Sequence, residues 1–325
     1  MGVQKKSHKA NASLKAGRPP TVKPSGKKTM SSKATQKTIV TFHQLQKLLA
    51  AAKAKRDAKR ASEIESQMEE LGGIKAYQEA SIQGQSADRG GDSSLVLMKW
   101  LGPIKQDLGS LDQKFKMLEV GALSTKNACS KSGCFNITHI DLNSQAPGIL
   151  QQDFMDRPLP SLTSLEAEDD KFDMISLSLV LNFAPSAPGR GEMLRRTTKF
   201  LRQRQVEADI PGSPSSSQTL SSSPSRTSTS GALPASLTDY RSTLFLVLPS
   251  SCVLNSRYFN DERLTLIMAS LGYALLQRKK TSKLVYYLWQ LRDKPAPAKE
   301  QKFGKVKVRD GGGMNNFWVE LRPEE

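Results

Sequence analysis

Met117-Leu-Glu-Val-Gly-Ala-Leu-Ser124, Ile137-Thr-His-Ile-Asp-Leu-Asn143, Gln151-Gln-Asp-Phe-Met-Asp156 and Phe172-Asp-Met-Ile-Ser-Leu-Ser-Leu-Val-Leu-Asn-Phe183 are four short apolar runs, each ending on polar residues. Their spacing is that of successive strands in a doubly wound α/β sheet, where ligands sit outside the carboxyl ends of the strands. A glycine turn follows the first run, Asp141 ends the second and Asp153 lies in the third. That order of strand ends is the layout of a nucleoside cofactor site.

The residue types fit the chemistry. Gly121 follows a buried strand, where the missing side chain lets the backbone turn sharply and approach a ligand. Asp141, 20 residues further on, can accept hydrogen bonds from both ribose hydroxyls at the tip of the next strand. A pyrophosphate cradle calls for further glycines, and Leu123 and Lys126 stand at those positions instead. A cofactor without a pyrophosphate fits better, and S-adenosylmethionine (SAM) is the common one. Glu119 is then placed to take the methionine ammonium, and Asp153 to accept from the adenine amino group.

The chain resembles the fungal 25S rRNA adenine-N(1) methyltransferases. The resemblance rests on Glu119-Val-Gly-Ala-Leu-Ser124, His139-Ile-Asp-Leu-Asn143, Gln152-Asp-Phe-Met155, Ser176-Leu-Ser-Leu-Val-Leu-Asn-Phe183 and Leu246-Val-Leu-Pro-Ser-Ser-Cys-Val-Leu-Asn-Ser-Arg257. Upstream, Glu70-Leu-Gly-Gly-Ile-Lys-Ala-Tyr-Gln-Glu-Ala-Ser81 and Arg89-Gly-Gly-Asp-Ser-Ser94 belong to the same pattern. It spans residues 65–290 and implies a Rossmann-like class I SAM-dependent methyltransferase that makes 1-methyladenosine in large-subunit rRNA, with Gly121 and Asp141 at SAM-binding positions. Its implied partner is that rRNA or a pre-ribosome. Animal relatives of the family are SAM sensors in nutrient signalling, which leaves a second class open, a SAM-binding sensor or scaffold without methyl transfer.

The formal charge of +17 is concentrated at one end. Residues 1–60 hold 16 Lys and Arg against one acid, Asp57, a formal +15 that leaves +2 for the other 265 residues. The basicity is therefore an arm and not a property of the fold. Such blocks act as interaction tails or nuclear addresses, and their phosphate contacts give affinity without sequence reading. A nuclear, nucleolar location is the expectation. Cys129, Cys134 and Cys252 are too few and too scattered, with His8, His43 and His139, to assemble a zinc cluster. No metal is expected, and with no run of 18 apolar residues, neither is a membrane span.

Residues 1–40 read as a disordered basic tail and residues 41–94 as a helical extension, with one helix over Phe42–Leu71, a second over Ile74–Ile82 and a third over Leu95–Leu101 at the start of the core. The core occupies residues 95–205 and 237–291. Between these parts lies a Ser/Pro-rich disordered insertion, residues 206–236, with ten serines and no acid in residues 211–230. Glu192–Arg204 reads as a surface helix, Ser242–Leu248 as a buried strand and Glu262–Leu271 as a helix. Ala274–Arg278 and Lys283–Leu291 read as an antiparallel pair. A parallel sheet finished by an antiparallel hairpin is the form SAM-dependent methyltransferases share. Residues 292–325 form a carboxyl-terminal extension, in which Lys302–Arg309 is expected to be a final strand over the sheet edge.

Adenine N1 carries an in-plane lone pair, so no proton must leave before methyl transfer and no strong base is required. Positioning and exclusion of water carry the rate. No residue stands out as a catalytic base. Asn182 and Phe183, after the fourth strand, are the expected contacts for a target base that must be unpaired or flipped out, with ordinary core packing the alternative for Phe183. Cytosine carbon-5 chemistry is disfavoured because none of the three cysteines neighbours a proline.

Overall fold

The four runs form adjacent parallel strands. In the computed structural model, which describes residues 31–84, 91–144, 146–160, 169–202, 235–292 and 301–323, seven strands make one sheet. They are β1 Phe115–Val120, β2 Phe135–Asp141, β3 Ile149–Gln151, β4 Met174–Ser178, β5 Thr243–Pro249, β6 Tyr273–Lys280 and β7 Leu284–Leu291. Their order is β3-β2-β1-β4-β5-β7-β6. The first five are parallel, and β7 runs antiparallel between β5 and β6.

Ten helices flank the strands in the described residues. They are α1 Ser32–Ala54, α2 Ala58–Glu70, α3 Gly73–Gly84, α4 Ser94–Trp100, α5 Lys105–Ser110, α6 Ala128–Lys131, α7 Ala187–Phe200, α8 Ala235–Thr238, α9 Ser250–Leu254 and α10 Asp261–Ser270. The sheet is buried on both faces. One face packs Leu118, Ile175, Leu177 and Leu246 against α7 and α10, and the other packs Met117, Met174, Phe245 and Leu288 against α4 and α5. A buried parallel strand must be apolar nearly throughout, which is why these runs show in the sequence. Asp173 is an exception at 1% exposure. It accepts from Lys116 N–H at 2.8 Å and pairs with Arg202 at 3.0 Å and Arg241 at 3.0 Å, which tie it to the loops flanking β4 and β5.

Several boundaries differ from the expectations. The helical extension begins at Ser32, inside the span expected to be tail, because Ser31 caps it by accepting from Ala34 N–H at 3.2 Å, and Thr35 and Phe42 are buried. The rest of the basic tail, residues 1–30, lies outside the described residues, as does residues 206–234 of the insertion. The expected helix over 42–71 is two helices. Arg56 turns left-handed at φ 56°, and Asp57 starts α2 by accepting from Arg60 N–H at 3.0 Å. Of the third run only Gln151 lies in a strand, since β3 precedes it and Asp153 Oδ1 accepts from Met155 N–H at 2.7 Å and closes a local turn. The fourth ends at Ser178, where Leu179 adopts φ 59°.

The helix expected at the surface over 192–204 is α7, and it is buried. It starts earlier because Ser186 caps it and Pro188 fits its first turn. Met193, Leu194, Thr197 and Phe200 face the core, while Arg190 and Arg195 anchor the carboxyl-terminal extension through Trp318 O at 2.7 Å and Gln301 Oε1 at 3.2 Å. The expected strand over 302–309 is irregular chain. Isolated bridges at Phe303–Leu321 and Ser256–Asn315 hold the extension instead, and Arg309 donates to Val253 O at 3.2 Å at the end of α9. Tyr286 to Trp289 lie buried within β7, so that aromatic run is core.

Candidate active site

The carboxyl ends of β1, β2 and β4 carry the polar residues, and the helical extension lies over them. At the end of β1, Gly121 has φ 73°, a backbone state in which a side chain is strained. A Cβ there would stand 2.6 Å from Val180 Cγ2, so the turn after β1 and the loop after β4 meet with no room for one. Gly121 N–H and Ala122 N–H both donate to Ile140 O, at 2.8 and 3.0 Å, and pin this turn beside the tip of β2.

Asp141 sits on that tip. Its Oδ1 accepts from Asn143 N–H at 2.8 Å and from Gln78 Nε2 at 3.2 Å. Gln78 Nε2 also donates to Asn143 O at 2.7 Å, and its Oε1 accepts from Asn143 Nδ2 at 2.8 Å. Gln78 is 2% exposed, so α3 is locked onto the loop after β2 by a fully used amide. Burial pushes the Asp141 carboxyl above the usual carboxylate range, and the two hydrogen bonds pull it back.

Glu119 has partners of its own. Both its oxygens accept from Asn127 Nδ2, at 2.8 and 2.9 Å, and Oε2 lies 2.9 Å from His139 Nδ1. Asn127 in turn caps α6 by accepting from Ser130 N–H at 2.9 Å. Asp153 lies beyond β3, in the local turn described above. Asp92 adds a further joint, accepting from Ser94 N–H at 2.9 Å and from Ala128 N–H at 2.5 Å, and Ser93 Oγ meets Ser178 Oγ at 2.7 Å. These bonds tie the loop before α4 to α6 and to the end of β4.

Phe183 is half-buried in a cluster of rings. His43 of α1 lies on it with ring centroids 3.9 Å apart, and Tyr77 of α3 meets it at 5.7 Å. The structure thus brings Gly121, Asp141, Glu119, Asp153, Asn182 and Phe183 to one edge of the sheet. To these it adds His43, Tyr77 and Gln78, which the motif spacing does not reveal. Tyr77 and Gln78 do lie in the Glu70–Ser81 segment of the family pattern; for His43 the sequence offers only a place on the apolar stripe of α1. A shallow depression of about 410 Å³, lined by residues such as Asp112, Lys114 and Phe135, lies at the amino ends of β1 and β2, the wrong end of the sheet for ligand chemistry. Among the described residues no cluster of His, Cys, Asp and Glu is arranged to hold a metal, and no helix is long and apolar enough to cross a membrane.

Five parallel strands closed by an antiparallel β7, with a glycine turn after β1 and an acid at the tip of β2, define a class I methyltransferase fold. A family model described as "Bmt2: 25S rRNA (adenine(2142)-N(1))-methyltransferase, Bmt2" matches residues 62–319, and the chain belongs to that family. Similar curated proteins include the 25S rRNA (adenine(2142)-N(1))-methyltransferase of Saccharomyces cerevisiae, 35% identical over 261 residues, 79% of this chain. The match spans 63% of that yeast protein, less than two thirds of its length. The 25S rRNA adenine-N(1) methyltransferase of Schizosaccharomyces pombe is 35% identical over 258 residues, 79% of each chain. Among solved structures, the N-methyltransferase NodS from Bradyrhizobium japonicum WM9, in complex with S-adenosyl-L-homocysteine, covers 60% of this chain and 87% of its own at 10% identity and a TM-score of 0.31. The strand order β3-β2-β1-β4-β5-β7-β6 by itself defines the fold.

Proposed function

We propose that the chain is a SAM-dependent methyltransferase that modifies N1 of an adenine in 25S, large-subunit rRNA, working in the nucleolus on rRNA or a pre-ribosome. The observation that carries this reading is the family match over residues 62–319, whose span includes the glycine turn and acid-tipped strand at one sheet edge. The residues fit SAM. Gly121 lets the turn after β1 pack directly on Val180 at the strand tips, and Asp141 offers a carboxylate with Oδ1 already fixed by Gln78 and Asn143, so its orientation is set before ribose hydroxyls arrive. Glu119, oriented by Asn127 and His139, is the acid nearest the methionine end, and Asp153 is the acceptor for the adenine amino group. Bound SAM supplies an electrophilic methyl group, and the protein's task is to align a nucleophile with it.

The target N1 lone pair attacks without prior deprotonation, so the chain needs residues that orient the base and exclude water. Asn182 and Phe183, just past β4, are the residues for this role, one polar and one a stacking face. Basic residues in the 1–60 arm add sequence-independent phosphate contacts. The direct test is calorimetric titration of the purified chain with SAM, followed by methylation of unmodified 25S rRNA transcribed in vitro and nucleoside mass spectrometry of the product. SAM binding with 1-methyladenosine formation is expected. SAM binding with no methylated nucleoside would instead identify a sensor or scaffold, and 6-methyladenosine would refute the N1 assignment.

A further inference from the structure

Several groups at the carboxyl edge of the sheet lie outside the set assigned above to the cofactor. His43 and Tyr77 close on Phe183, and Phe42 backs Tyr77 with ring centroids 4.8 Å apart. Two buried polar atoms lie on or beside this patch, His43 Nε2 and, on the residue preceding Phe183, Asn182 Oδ1, and neither has a hydrogen-bond partner among the described residues. Buried polar atoms are nearly always paired, so two orphans on residues of one aromatic patch mark a place for the polar edge of a ligand. Burial lowers the His43 imidazole to about 4, so at neutral pH the ring is uncharged and suited to stacking on a neutral base.

One helical turn along α1 stands Lys47, within reach of the charge of Arg190 of α7. Burial, and then the Arg190 charge, pull the Lys47 ammonium below its usual range. Among the described residues neither cation forms an ion pair with a carboxylate. The neighbouring Cys252 thiol, pushed up to about 12 by burial, stays neutral and gives them no counter-charge. Arg190 is 4% exposed and rigidly held. It donates from Nη1 to Trp318 O at 2.7 Å and lies over Phe317 at 4.7 Å, while its buried Nε has no partner. Two close cations without an acid, beside an aromatic wall with unpaired polar atoms, have the chemistry of a nucleotide site.

We propose that the helical extension supplies half of the target-nucleotide site: His43 and Tyr77 clamp the adenine against Phe183, Asn182 Oδ1 accepts from its exocyclic amino group, and Lys47 with Arg190 holds a phosphate of the same strand. The rings of His43 and Phe183 lie against each other, and the base enters by parting them. α1 and α2 share a separate small core, Leu45, Ala52, Ala61 and Ile64, distinct from the two cores of the sheet. The proposal rests on the methyltransferase reading and extends it by making residues 31–84 part of the active site.

The test uses the full chain, SAM and unmodified 25S rRNA transcribed in vitro, comparing wild type with Lys47→Glu and His43→Ala. Lys47 is a surface side chain partly covered by its neighbours, and thermal unfolding of the variant checks that its replacement leaves the fold intact. Lys47→Glu is expected to raise KM for RNA by about tenfold with kcat and SAM Kd near wild type, and to reduce the slope of log affinity against log salt by roughly one. His43→Ala is expected to lower kcat/KM for RNA by about tenfold, the loss of one base-stacking contact, with SAM Kd unchanged. Variants that match an active wild type in KM and kcat/KM would overturn the inference alone, as would a parallel loss of SAM affinity. A wild-type chain that binds SAM and methylates no RNA would overturn the functional reading and this inference with it.

Discussion

At the scale of single residues, Gly121 is the most constrained position in the site. Its φ of 73° and the 2.6 Å approach of Val180 Cγ2 to a built Cβ exclude any side chain without local movement. Gly121→Ala is expected to destabilise the protein by about 1–3 kcal/mol in urea unfolding and to weaken SAM binding, and adding Val180→Ala should relieve the clash but not the backbone strain. His43 gives a pH signature. Its folded pKa of about 4 lies below the 6.5 of a free imidazole, so the unfolded chain binds the extra proton. Stability therefore falls as pH drops from 6.5 towards 4, by on the order of 2 kcal/mol for this residue, and His43→Phe should flatten that limb when midpoints are compared at pH 7 and pH 5. An acid limb unchanged in His43→Phe would show that the imidazole is not buried as described. The glycine and Asp141 are legible in the sequence because one missing side chain and one acid follow apolar runs at a fixed interval. His43 is not, since nothing distinguishes it from the other members of an amphipathic stripe.

Among elements, α3 matters most for the cofactor. Gln78 reaches 63 residues along the chain to Asp141 and fixes its carboxylate, so a helix outside the sheet sets the geometry of the strand tip. Gln78→Leu keeps the volume and removes the amide. A hydrogen bond to a charged group contributes on the order of 1.5–3 kcal/mol, so SAM Kd should rise at least about tenfold in calorimetry while the thermal midpoint of the sheet changes little. An unchanged Kd would show that Asp141 is oriented by Asn143 alone. The strands were predictable from sequence because parallel strands buried on both faces must be apolar throughout. Their ends were less so, since Asp153 and Leu179 stop β3 and β4 through local turn geometry that hydrophobic patterning does not encode. The burial of α7 escaped for another reason. Its basic residues look solvent-facing, but Arg190 and Arg195 are buried and each gives a donor to the carboxyl-terminal extension, a partner more than a hundred residues away.

For the molecule as a whole, charge and fold are separable. With +15 of the +17 formal charge in residues 1–60, the arm and the sheet have different tasks. Removing residues 1–30 takes away 8 Lys and Arg, so RNA affinity measured at two salt concentrations should fall and its salt dependence should become shallower, with SAM Kd unchanged. An unaltered salt slope would move the phosphate contacts onto the folded part. The central claim, that this fold methylates N1 of an adenine in 25S rRNA through the Asp141 pocket, is tested most directly in cells lacking the protein. Large-subunit rRNA nucleosides would be measured by mass spectrometry after complementation with wild type or Asp141→Ala. Loss of 1-methyladenosine, restored by wild type and not by Asp141→Ala, is the predicted result; a 1-methyladenosine level that does not change when the protein is absent would contradict it.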